Sequence, residues 1–221
     1  RFEGKAGETR GIPGRTGSGK STVLQLAMRM MDPQDGEVSV DGTPLPEWDL
    51  ATMRDGFGYV PQDVFLFSDT IGQNIAFGSQ GLDPQGPEVK QAAEDAGVAG
   101  DIDGFDKKYG TLLGERGVNL SGGQKQRISI ARALIKKPAL LLLDDCLSAV
   151  DTETEDAILG AIARQEASCT VMVSHRLASL RGADRILVLD EGKLVEEGTH
   201  AQLLEAGGLY ATMHAQQQAD A

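Results

Sequence analysis

Cysteine is scarce in this sequence: Cys146 and Cys169 are the only two in 221 residues. Their separation is not that of metal ligands, so they read as small core residues of a protein kept in a reducing compartment. Basic residues are outnumbered as well, 21 Lys and Arg against 33 Asp and Glu, a formal charge of −12. That balance argues against a nucleic-acid surface, which needs clustered cations to displace counterions from phosphates. It leaves room for a nucleotide, which needs only a local site. No apolar run approaches the roughly 20 residues that span a bilayer; the longest surrounds residues 139–143. No internal repeat is visible. There is no initiator Met and no charged-then-apolar leader, and Arg1 opens what reads as mid-domain sequence. The expectation is a piece of something longer, with length enough for a sizeable core without disulfide or metal staples.

Short β-type runs alternate with helical stretches. The candidate strands are residues 9–13, 57–60, 140–144, 170–174 and 185–189, and the candidate helices 20–31, 122–135 and 154–165. This alternation predicts an α/β fold with a mostly parallel sheet covered by helices. Residues 63–119 break the rhythm, loop-rich at 78–87 and helical at 88–96. They read as a helical insertion. Asp190-Glu191-Gly192, between residues 186–189 and 194–196, marks an antiparallel hairpin.

Gly14-Arg15-Thr16-Gly17-Ser18-Gly19-Lys20-Ser21 has the spacing of a phosphate-binding loop, after a candidate strand and before a candidate helix that Thr22 continues. Glycines let the backbone curl so that successive N–H groups face phosphate oxygens, and the helix adds its positive end. Lys20 would reach the β and γ phosphates, and Ser21 would ligate Mg²⁺. An ordinary glycine-rich turn is the bland alternative, disfavoured by the eight-residue spacing. Pro13 is odd for a central strand because it removes a ladder donor, unless it stands at the strand's end. The apolar run 140–143 ends in Asp144, a carboxylate at the C-terminal edge of a buried strand, where α/β sheets hold their ligands. Asp144 would hold Mg²⁺ opposite Ser21.

Leu120-Ser121-Gly122-Gly123-Gln124 is legible in physical terms: Ser121 can cap a helix beginning at Gly122, and two glycines leave that helix end bare for close approach to an anion. It also resembles the signature sequence of the ATP-binding cassette (ABC) proteins, and the rest of the chain matches that family in order. Tyr59-Val60-Pro61-Gln62 resembles the Q-loop, Ser148-Ala149-Val150-Asp151 the D-loop and Ser174-His175-Arg176 the switch loop. Residues 63–78 and Gly114-Glu115-Arg116-Gly117 look like exporter cassettes in the region that meets the coupling helices of a transmembrane domain.

The resemblance implies a P-loop NTPase (RecA-like) core at residues 1–62 and 126–221, a helical subdomain at 63–125, and antiparallel β pieces, one cassette truncated at its N-terminus. ATP and Mg²⁺ are the implied ligands. Gln62 would touch the metal and the attacking water, and His175 the γ-phosphate. Ser121, Gly122, Gly123 and Gln124 would cover ATP held on a second cassette in a head-to-tail dimer. The implied place is the cytoplasmic face of the plasma (inner) membrane.

Three departures from the family matter. Where it usually has a water-polarising Glu, this sequence has Asp145, one methylene shorter. Misplacement by about 1 Å can cost on the order of a hundredfold. The expectation is a site that hydrolyses slowly or hardly at all, like the degenerate half of heterodimeric bacterial multidrug exporters. A homodimer in which Asp145 reaches well enough is the alternative. The family also stacks adenine on an aromatic residue upstream of the loop, and Phe2 is too near Gly14 to serve. Leu112 stands where such exporters often carry a Glu. A soluble ABC ATPase of chromosome maintenance or translation is disfavoured by the exporter-like residues 63–78 and the acidic charge.

Overall fold

The structure, a computed structural model, describes residues 2–114, 119–165 and 168–219. Of the exporter-like stretch at 114–117, Glu115, Arg116 and Gly117 therefore lie outside the described residues. The strands are β1 (Thr9–Ile12), β2 (Ser39–Val40), β3 (Thr43–Pro44), β4 (Phe57–Val60), β5 (Leu140–Asp144), β6 (Cys169–Val173), β7 (Arg185–Asp190) and β8 (Lys193–Gly198). The helices are α1 (Lys20–Ala27), α2 (Leu50–Asp55), α3 (Ile71–Ala76), α4 (Pro87–Asp95), α5 (Ala99–Asp103), α6 (Gly122–Leu134), α7 (Thr152–Ala163), α8 (Leu177–Leu180), α9 (His200–Ala206) and α10 (Leu209–Ala219).

Six strands form one sheet in the order β4-β5-β6-β1-β7-β8, parallel except where β8 turns back on β7. The run of leucines in β5 explains why it lies inside. Leu141 and Leu143 enter the core shared with α3, α4, α6 and α7, while Leu142 faces Ile12, Leu24, Met53 and Val173 on the other side. A strand buried on both faces reads as a continuous apolar run. The β7–β8 turn puts Glu191 at φ 46° and Gly192 at φ 76°, the positive pair that matches the twist of a two-residue hairpin.

Pro13 falls just past the end of β1, so the sheet loses no ladder donor to it. The first candidate helix is shorter than its pattern, because α1 ends at Ala27 and Arg29 turns left-handed at φ 48°. Helix α7 starts at Thr152, two residues early, because the Asp151 carboxylate accepts from Thr154 N and caps it. Helices α3, α4 and α5 lie in residues 71–103, where the helical insertion was expected, and their buried side chains Ile71, Ile75, Val89, Ala93 and Ile102 share a core with Ile130 of α6.

Candidate functional site

Strand β1 delivers Gly14 to the C-terminal edge of the sheet, where it bridges to Leu189 at the end of β7. The loop then curls back into α1. A Cβ on Gly14 would stand 2.5 Å from Ser18 Oγ and 2.7 Å from Leu189 O, so no larger residue fits. Gly17 and Gly19 have φ of 83° and 95°, a left-handed region in which side chains are strained. Gly19 is the N-cap of α1 and offers no side-chain oxygen, which leaves the first-turn N–H groups of that helix facing the loop. The β7–β8 turn supports the loop from beneath, Gly192 N donating to Ser18 O at 3.2 Å. Arg15, Thr16 and Thr22 are exposed around it.

Lys20 is buried, and its Nζ donates to Gly14 O at 2.7 Å and Arg15 O at 2.8 Å. Two carbonyls use two of its three donors and none of its charge. Burial lowers its pKa, with Asp145 and Asp144 pulling the other way. Ser21 Oγ donates to Asp144 Oδ1 at 3.0 Å, joining the loop to β5 across 123 residues of sequence. Burial pushes the Asp144 carboxyl above its ordinary value, against the Ser21 hydrogen bond.

These residues fit a Mg²⁺–nucleotide. Ser18 Oγ is buried with no hydrogen-bond partner, an orphan that a phosphate oxygen would satisfy. Ser21 Oγ and Asp144 Oδ1 are hard oxygen donors side by side, the chemistry Mg²⁺ takes. Lys20 is a buried cation that would meet the charge of the phosphates.

Asp145 follows Asp144 with φ 47°, a strained conformation for a non-glycine residue. Its N–H pairs with Val173 O at 2.9 Å and its Oδ1 accepts from His175 N at 3.0 Å, so the carboxylate is tied to the switch loop. His175 is thereby brought beside Asp145. Gln62 is exposed two residues beyond β4, the strand next to β5.

The signature is built differently. Ser121 Oγ accepts from Gln124 N at 3.2 Å while Gln124 Oε1 accepts from Ser121 N at 3.0 Å, a reciprocal capping box on α6. The Gln124 amide also donates to Asp101 at 2.9 Å, so that side chain is committed within the chain. Ser121 and Gly122 remain exposed. Gly123 rests on the D-loop: a Cβ there would stand 2.7 Å from Ala149 O. Gln126 fixes the same contact by accepting from Ala149 N at 3.1 Å. Among the described residues no hydrogen bond joins residues 14–22 to 121–124, so the phosphate loop and the signature are separate clusters.

Sequence reasoning missed several supports. Arg176 Nη1 meets Glu155 Oε2 at 2.9 Å and Val150 O at 3.2 Å, linking the switch loop to the D-loop and α7. Glu155 is buried and also takes Ser179 Oγ. Its acidic neighbours Glu153 and Asp156 hid it, since a charged helix start looks like a solvated face. Phe2 lines a cleft with Arg10 and Arg185, at the strand ends opposite the phosphate loop.

Comparison with known proteins agrees with this geometry. The ABC transporter family pattern matches residues 1–148. An ATM1-type heavy metal exporter of Novosphingobium aromaticivorans is 45% identical over 221 residues, 99% of this chain and 36% of the relative. An ATP-dependent lipid A-core flippase of Aliivibrio fischeri is 44% identical over 214 residues, 96% of this chain and 37% of its own. A solved bacterial Atm1-family ABC exporter with ATP bound superposes with a TM-score of 0.93 at 44% identity, over 98% of this chain and 38% of that one. This chain thus spans well under half the length of these relatives. With the phosphate loop, the Asp144 strand end and the capped signature all in place, the chain belongs to the ABC transporter family.

Proposed function

We propose that this chain is the ATP-binding and ATP-hydrolysing cassette of a membrane exporter, working at the cytoplasmic face of the plasma (inner) membrane. The observation that carries the reading is the Ser21–Asp144 contact of 3.0 Å beside the buried Lys20, which gathers metal donors and a phosphate cation at one sheet edge. Residues 14–22 would hold ATP. Ser21, Asp144 and Gln62 would hold Mg²⁺, which draws charge from the β and γ phosphates. Lys20 would offer its cation to those phosphates, and Asp145 and His175 would orient the attacking water. Ser121, Gly122 and Gly123 would close over ATP held by a second cassette, with Gln124 keeping that helix end in shape.

Residues 63–125 form the arm of this machine in our reading, with residues 1–62 and 126–221 as its core. Phe65, Phe67 and Phe77 support a docking role for the arm. They are 52%, 36% and 65% exposed and cluster together, Phe65 edge to face with Phe67 and Phe77 tilted against it, with Arg132 over Phe67 and Phe77. So much exposed aromatic surface in one place marks a contact region, which we assign to the transmembrane domain. Closure of two cassettes on ATP would then move the attached helices, and hydrolysis would release them.

A second reading, a largely non-catalytic half whose partner's site turns over, is favoured by Asp145. Its short carboxylate has one oxygen engaged by the His175 amide, which leaves less of it free for water. An unlike partner cassette follows from that reading. Steady-state MgATP turnover of the chain and of Asp145→Glu, with Lys20→Ala as the inactive control and nucleotide binding measured separately, tests both. A rise of about tenfold or more, worth about 1.4 kcal/mol of barrier, identifies a degenerate site. Good turnover that the substitution leaves unchanged makes Asp145 a competent acid and favours two identical cassettes.

A further inference from the structure

The switch loop is held from three directions. Asp145 takes the His175 amide from the side of β5, and Arg176 fastens the next residue to the D-loop and Glu155. The third support comes from α10, 42 residues further along. Gln217 Nε2 donates to His175 O at 2.5 Å, and Gln217 Oε1 accepts from Leu177 N at 2.9 Å. One carboxamide therefore reads one carbonyl and one amide on either side of Arg176, as only a group with both a donor and an acceptor can.

The second bond answers a local deficiency. Leu177 begins α8, and its N-cap, Arg176, has no side-chain cap. A first-turn amide needs an acceptor from outside the helix, and Gln217 provides it from another helix. Helix α10 is itself anchored. Tyr210 is fully buried, its OH lies 2.8 Å from His200 Nδ1, and the amides of Leu209 and Tyr210 donate to the Glu196 carboxylate. A fixed helix gripping a loop fixes the loop.

We infer that Gln217 is a positioning residue for His175, through which the C-terminal helix sets the switch-loop backbone in its working place. This rests on the reading that His175 acts at the γ-phosphate. The effect belongs in turnover and not in nucleotide affinity, because the hydrogen bonds of Gln217 go to His175 and Leu177 and, among the described residues, none goes to residues 14–22 or Asp144.

The test uses the full-length transporter with Gln217→Ala, Gln217→Glu, His175→Ala and the double variant. Gln217→Ala is expected to speed hydrogen exchange of the 174–178 backbone and to lower kcat by about threefold to tenfold, with KM within about twofold. It should cost nothing further once His175 is Ala, since two residues acting as one unit are not additive. Gln217→Glu keeps the acceptor for Leu177 but loses the donor for His175, so turnover should fall while the Leu177 amide stays protected. Unchanged exchange at 174–178 in Gln217→Ala overturns the inference. So does an equal loss with and without His175, or full turnover in Gln217→Glu. If His175→Ala leaves turnover intact, the role assigned to His175 fails, and the positioning role of Gln217 fails with it; the exchange result then shows whether the contact itself is real.

Discussion

The phosphate loop and the signature, the two half-sites we propose for this chain, are made of the same materials, glycine, serine and a helix start, and are finished in opposite ways. The phosphate loop leaves polar groups unmet: Ser18 Oγ has no partner, Gly19 gives α1 no side-chain cap, and the buried Lys20 makes its hydrogen bonds to two carbonyls and to no carboxylate. The signature leaves little unmet, since Ser121 and Gln124 satisfy each other and Gln124 reaches Asp101. Buried polar groups left unsatisfied cost free energy that a ligand returns on binding. A satisfied, exposed helix start has no such debt for a ligand to return. The contrast supports our proposal that the phosphate loop is the half that binds and the signature a finished edge for a second cassette.

The largest effect that would separate them is expected from Asp144→Asn. The amide keeps an acceptor for Ser21 and no longer buries a charge that the fold already disfavours, as the raised carboxyl pKa indicates. Thermal unfolding without nucleotide should therefore occur no lower than in the wild type. If Asp144 holds the metal as we propose, turnover should fall by about a hundredfold or more, and Mg²⁺ should no longer strengthen nucleotide binding. If Asp144→Asn instead unfolded the chain, Asp144 would be a structural residue, and the contrast between the half-sites would lose its basis.

An intermediate effect is expected within the signature itself, where adjacent glycines differ. A methyl group at Gly123 meets Ala149 O at 2.7 Å, and one at Gly122 meets only the Ala149 methyl at 3.9 Å. Gly123→Ala should cost about 1–3 kcal/mol, a fall of roughly 2–4 °C in Tm for each kcal/mol in a chain of this size. Gly122→Ala should leave Tm nearly unchanged and weaken only the association of two cassettes on ATP, read by gel filtration with a hydrolysis-deficient partner. Equal losses of Tm would mean that Gly123 does not rest on the D-loop.

Most of the fold was legible because its signals are local. Residues 57–60 and 140–144 are strands as the apolar runs indicate, and the phosphate loop sits between β1 and α1 as its spacing requires. Short α2 and α3 were missed, although Asp49 and Thr70 cap them, because six residues give too little periodicity. Neither the tie from Asp145 to His175 nor the grip of Gln217 on the switch loop could be read from the chain. Both join residues 30 or more apart, and an Asp or Gln carries no mark of the partner that folding will bring.

The smallest effect tests how finished the signature edge is. Gln124→Ala removes the reciprocal half of the capping box and the bond to Asp101, while Asp101 keeps Arg127 at 2.9 Å. Loss of such a cap costs about 1 kcal/mol, and the carboxylate left behind remains paired. The expected outcome is a fall of roughly 2–4 °C in Tm, with nucleotide affinity of the isolated chain unchanged because the phosphate loop lies in the other half-site. Reduced affinity in the isolated chain would show that Gln124 reaches this chain's own nucleotide, and the two half-sites would then be one.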